Sequence, residues 1–170
     1  MVLKAFLGLL VFVSTAKFAE GQPAAPAGPA GIVTQRIMSL SLAKTIAEAA
    51  LAECQSKGFH TSVVVVDRAG QVMVMLRDEQ GSAQTLEMAR RKAYTARMFR
   101  MTSLEFQKRT ATDPSMAAQR DVADFLALGG GVPIQVGKEI IGGVGSSGSN
   151  IEQDDACAKA GVAKVADLLK

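Results

Sequence analysis

Apolar positions recur along this chain first at a helical spacing, then at a strand spacing, and the alternation repeats. Leu42, Ile46, Ala49, Ala50 and Cys54 form a helical stripe, so Ser41 is expected to cap a helix running from Leu42 to about Lys57, ended by Gly58. TSVVVVD, residues 61–67, is β-branched through its middle and too short for a buried helix, which predicts a core strand. Asp67-Arg68-Ala69-Gly70 is a turn sequence. In the following QVMVMLR, residues 71–77, Val72, Val74 and Leu76 alternate with Met73, Met75 and Arg77, so the two runs are expected to pair as an antiparallel hairpin.

From Ser82 to about Arg100 the helical period returns, with three faces. Leu86, Ala89, Ala93 and Ala96 make a small-residue stripe suited to close packing on a sheet, while Glu87, Arg90, Tyr94 and Arg97 project to the opposite, water-facing side. Thr85, Met88, Lys92, Thr95, Phe99 and Thr102 form a mixed flank of the kind that borders pockets. A less regular helical region from Ser103 to about Leu128 is broken near Asp113-Pro114. Gly129-Gly130-Gly131 then leads into VPIQV, the turn Gly137-Lys138 and EIIGGVG, a second hairpin. Asn150 and Gln153 start a last helix with Glu152, Asp154 and Asp155 in its first turn and Lys164 and Lys170 toward its end, matching the helix dipole. Helix, hairpin, helices, hairpin, helix is an α+β order: an antiparallel sheet of about four to five strands flanked by helices.

Ahead of this domain, residues 1–16 carry Lys4 and an apolar run too short for a membrane span, the pattern of a secretory signal peptide. Cleavage after Ala16 or Gly21 is compatible with the small residues there. The chain is therefore read as a signal peptide over 1–21, a Pro/Ala/Gly-rich tether over 22–38 and a domain over 39–170, periplasmic or secreted and without membrane attachment once cleaved.

Composition narrows the chemistry. With 170 residues, 48% hydrophobic and 21% charged, the chain has the make-up of one globular domain, and a net charge of +3 without a nucleic-acid motif argues against a nucleic-acid partner. One His and two Cys exclude Cys/His zinc sites and multi-histidine metal centres within one chain. Glu152, Asp154 and Asp155 are accounted for by the helix dipole and Asp121 with Asp124 by a solvated face, so no metal site is assigned. Gly143-Val144-Gly145-Ser146-Ser147-Gly148 matches a dinucleotide fingerprint, but no later strand supplies the acidic ribose ligand, and it is read as a glycine-rich strand exit. The basic run Arg90-Arg91-Lys92, with Arg97, Arg100, Lys108 and Arg109, suits phosphate or propionate groups or a solvated helical face. His60 precedes the first strand as either an axial ligand or a solvated loop residue. Cys54 and Cys157, on the first and last helices, are either a disulfide or two buried thiols.

Taken in order, SLSLAKTIAEAALAEC, VVVVDRAGQVMVMLR, ARRKAYTARMFRMTSLEF and GGGVPIQVGKEIIGGVGSSGSNIEQDDACAKAGV resemble the GlcG/HbpS family of haem-binding-like proteins over about residues 39–170. The resemblance implies a profilin-like fold, a small homo-oligomer, and binding of haem or another small molecule at a subunit surface. Lys92, Thr95 and Thr102 match the family's K-A-x-T-A segment and following threonine, and Gly130, Gly131, Pro133, Gly145, Ser147, Gly148, Asp154 and Asp155 match its C-terminal motif. The sequence departs from the family at Met101, where proline is frequent, over Arg77–Gly81, and in lacking a first-helix histidine that some members use. Thr102 and His60 stand as candidate axial ligands.

Three readings follow. The first is an exported haem-binding protein serving as carrier, buffer or sensor partner. The second is an enzyme or enzyme accessory for a small hydroxy acid or diol, with Lys92 holding a carboxylate opposite the Gly145–Gly148 loop. The third is an assembly module whose glycine loop serves subunit packing. No catalytic residue is assigned.

Overall fold

The computed structural model describes residues 31–170, so the expected signal segment and residues 22–30 of the tether lie outside the described residues. The packed unit starts at Gln35, ahead of the expected boundary at residue 39: Met38 is buried in the core and Arg36 bonds Glu139.

Ser39, not Ser41, caps the first helix, α1 (Leu40–Ser56), its hydroxyl accepting from the Leu42 amide at 3.2 Å. Ser41 lies inside the first turn. The buried stripe is Ala43, Ile46, Ala47, Ala50 and Cys54, rotated slightly from the expected one, with Leu42 only partly buried.

β1 (Ser62–Val66) is buried at every position because both of its faces are covered. Val63 and Val65 join the core beneath α1, whereas Val64 and Val66 pack on Ala89 and Ala93 of α2 (Gln84–Phe99). β2 (Val72–Arg77), β3 (Gly131–Val136) and β4 (Glu139–Ser147) complete a four-stranded antiparallel sheet in the order β2-β1-β4-β3. β2 is an edge strand, and a bulge that passes over Met73 leaves Val72 opposite Val66 and Val74 opposite Val65, so its simple alternation is broken: Met73 and Val74 both reach the core while Val72 and Met75 are exposed.

The glycine-rich motif runs within β4 and over its exit, and its role is packing. A side chain on Gly145 would collide with the Ala89 carbonyl oxygen, and one on Gly143 with that of Ala93, so these glycines let α2 lie close on the sheet. After α2 the less regular helical region breaks at Asp113-Pro114 as expected, into α3 (Ser103–Thr112) and a 3₁₀ segment, Pro114–Asp121, and it stops short of the expected end near Leu128.

α4 (Ile151–Lys164) packs beside α1 on the other face of the sheet, so the layers are α2, sheet, then α1 with α4. Cys54 and Cys157 join these two helices in a disulfide with Cα atoms 5.6 Å apart. A loop closed over 103 residues contributes about 4 kcal/mol by restricting the unfolded chain.

Candidate functional site

Two base–carboxylate pairs lie at the end of the sheet where β1 begins and β4 finishes. The first is open to water. His60 immediately precedes the strand region and Asp78 follows β2, whose last rung brings the Asp78 amide to the Thr61 carbonyl at 3.0 Å. His60 Nδ1 lies 2.9 Å from Asp78 Oδ1, which also accepts from the Gln80 amide at 2.9 Å, while Oδ2 accepts from Gln55 Nε2 at 2.7 Å. The Gln55 amide, then the Gln80 amide, with His60 adding to both, hold the Asp78 carboxyl below its ordinary 3.8. Asp78 is 4% exposed and His60 44%, so the carboxylate is fixed and the ring presents an edge to solvent. A carboxylate on Nδ1 selects the tautomer that leaves the lone pair on Nε2, which has no partner among the described residues. The site is thus a preoriented imidazole donor.

The second pair is closed. Lys92 Nζ donates to Asp154 Oδ2 at 2.7 Å and to the Ser146 carbonyl at 3.0 Å, and Asp154 Oδ1 accepts from the Ser149 amide at 3.1 Å and hydroxyl at 2.7 Å. Their side chains are 1% and 3% exposed. Burial pushes the Lys92 ammonium below the ordinary lysine value, against the pull of Asp154 and then Asp155. Gly130 roofs the pair: a Cβ there would stand 2.9 Å from Asp154 Cβ and 3.0 Å from Lys92 Nζ. Gly131 donates to Ser103 Oγ at 2.7 Å and has no room for a side chain beside the Lys92 carbonyl.

The residues singled out from the sequence therefore separate. Lys92, Gly130 and Gly131 meet in the closed cluster together with Asp154, which pairs with a buried cation in addition to facing the helix dipole. Gly145 seats α2. Ser147 is buried opposite Ser62, and Gly148 crosses so close to the His60 carbonyl that a Cβ would be 2.8 Å from it, fixing the stem of the open pair. Thr95 Oγ1 donates to the Arg91 carbonyl and accepts from the Leu126 amide, pinning a loop. Thr102 is the N-cap of α3 in a capping box with Glu105, its hydroxyl 2.8 Å from Glu105 Oε2. Pro133 lies in β3 opposite Gly143. The basic run is not one solvated face either: Arg90 bonds Glu87 and Asp124, and Lys92 is buried. The sequence reading does not single out Asp78 or Gln55 as site residues, and the signal available for Asp78 is its place just past the hairpin whose first strand His60 precedes.

A family model described as haem degrading protein HbpS-like matches residues 38–163. An uncharacterized 15.0 kDa protein from the dhaT-dhaS intergenic region of Citrobacter freundii is 28% identical over 130 residues, 74% of this chain and 92% of the relative. Among solved structures, a double mutant of Streptomyces reticuli HbpS superposes with a TM-score of 0.75 at 32% identity, covering 84% of this chain and 97% of that one. A PduOC:heme complex superposes with a TM-score of 0.68 at 24% identity, covering 76% and 95%, a likeness of fold.

Proposed function

The chain belongs to the HbpS-like family, and from that premise we propose that it binds haem, which His60 would hold through its ring nitrogen, with Asp78 as the group that orients the ring. The observation carrying this reading is the His60–Asp78 contact of 2.9 Å, which leaves Nε2 as a free nitrogen donor on the chain's sole histidine. The residues fit haem in donor chemistry. Thr102 does not compete, because its hydroxyl serves the capping box of α3. Lys92 is unavailable for propionates, being paired with Asp154. Bound haem would supply an iron centre whose properties the axial ligand tunes. Asp78 holds the plane of the His60 ring, and Gln55 holds Asp78.

His60 lies at an open surface, which suits a ligand covered from the other side by a second copy of the chain. The unpaired edge of β2, with Val72 and Met75 exposed, offers surface for such self-association. The same reading places the protein in the periplasm or outside the cell as a haem carrier, buffer or sensor partner. The apolar leader of residues 1–16 and the Cys54–Cys157 disulfide support an oxidising compartment. The hydroxy-acid or diol reading has lost its anchor with the burial of Lys92.

Haemin titration of the protein, followed in the Soret region, tests this. A saturable shift that disappears in His60→Ala and persists in Thr102→Ala is expected. No saturable shift, or the same shift in His60→Ala, overturns the assignment. Mass measurement of the exported product checks for loss of a leader ending at Ala16 or Gly21.

A further inference from the structure

At the far end of β1, where the hairpin turns, a cavity of about 340 Å³ is lined by Gln35, Ile37, Asp67, Arg68, Ala69 and Arg97. Its charges are unbalanced. Glu139 is occupied twice over, holding Arg68 through Oε2 at 2.9 Å and Arg36 through Oε1 at 3.1 Å. Asp67 Oδ1 is occupied within its own turn by the Ala69 and Gln71 amides at 2.8 and 2.9 Å. Arg97 is left over: among the described residues it has no ion pair or hydrogen bond, and its Nε is buried without a partner. A buried guanidinium N–H without an acceptor is costly, and few such groups persist in folded proteins without a ligand, water or role.

The surroundings intensify the imbalance. Burial first, then the neighbouring charges of Arg68 and Arg100, depress the affinity of Arg97 for its proton, with only Asp67 opposing. Arg36, Arg68, Arg97 and Arg100 thus share this corner with two carboxylates, Asp67 and Glu139. An anion in the cavity would meet the part of the Arg97 guanidinium that lines it and reverse the crowding of positive charge.

We propose that this cavity binds a small oxyanion, a carboxylate or phosphoryl group held by the guanidinium fork of Arg97. The fork matches two oxygens of such a group at once, which neither chloride nor an amide does. At about 340 Å³ and open to solvent, the cavity has room for a compact anion beside the guanidinium. Arg97 sits at the end of α2 remote from Thr85, which contacts Ser62 at the His60 end of β1, so this site is separate from the one proposed for haem.

The test is calorimetric titration of the full chain with sodium phosphate and, separately, sodium acetate, at constant ionic strength maintained by chloride. Saturable binding of one anion per chain is expected, weakened at least about tenfold in Arg97→Gln and to an intermediate degree in Arg97→Lys, which keeps the charge and loses the fork. The tighter anion identifies the group as phosphoryl or carboxylate. His60→Ala should titrate as the unmodified protein does. In the unmodified chain the Arg97 Nε–H resonance should shift on anion addition, a readout that does not depend on a variant folding. Absence of saturable binding by both anions, unaltered binding in Arg97→Gln, or an Arg97 Nε–H resonance that does not move overturns the proposal.

Discussion

Lys92 with Asp154 and His60 with Asp78 are both a nitrogen base and a carboxylate near the same end of one sheet, and what separates them is water. Lys92 and Asp154 are covered by Gly130, Ser146 and Ser149, so both ions have given up hydration and depend on each other and on the backbone around them. Only the carboxylate of the second pair is covered, while His60 keeps an exposed edge. Enclosure makes the first pair a fixture of the fold; partial enclosure makes the second a donor that is held still and remains able to bind.

The largest expected effect comes from breaking the closed pair. Lys92→Met leaves Asp154 buried and uncompensated, and urea unfolding should show a loss of about 3–5 kcal/mol. Adding Asp154→Leu removes the stranded charge, so the double variant should recover part of that loss even though Ser149 loses its acceptor. Gly130→Ala should cost about 1–3 kcal/mol, because its φ of +118° disfavours a side chain and the new methyl meets Ser146 O at 2.7 Å.

Breaking the open pair should invert this pattern. His60→Ala should leave the unfolding midpoint close to that of the unmodified protein while abolishing the Soret shift, since its ring is a surface group with one partner. The smallest effect is on acid stability. Asp78 titrates below 3.8 when folded, so its contribution is complete above about pH 4 and falls as pH drops through the lowered folded value. Asp78→Asn should therefore flatten the acid limb of the thermal midpoint measured from pH 2 to 7, and should also weaken haemin binding by releasing the ring of His60.

The fold was largely legible because its punctuation is local. Gly58, the Asp67–Gly70 turn, Pro114, the Gly137-Lys138 turn and Asn150 act through backbone preferences that need no tertiary partner, and each marks an element end in the structure. Ser39 displaced Ser41 as the first cap because both are competent caps two residues apart, and burial of Met38 fixes where the chain enters. The alternation in β2 failed at Met73 because a bulge belongs to a pair of strands and has no separate imprint on either.

The candidate site was less legible. The helical projection placed Lys92 on a mixed flank, and the angle was sound: the same flank carries Thr85 and Thr95, both buried. A projection gives direction around an axis and says nothing of what covers that direction. Arg97 illustrates the converse, since a position assigned to water lines a cavity once the Asp67–Gly70 hairpin turn closes beside it.

By itself, then, the sequence determined the element order, the antiparallel pairing, the two cysteines available for a bond and the family pattern, because these depend on short-range periodicity and residue type. Only tertiary structure decided which charged groups lose their water. Asp154 reaches Lys92 across 62 positions of chain, and Asp78 reaches His60 across 18 through a hairpin register, and solvation depends on the atoms that finally surround a group rather than on its neighbours in sequence.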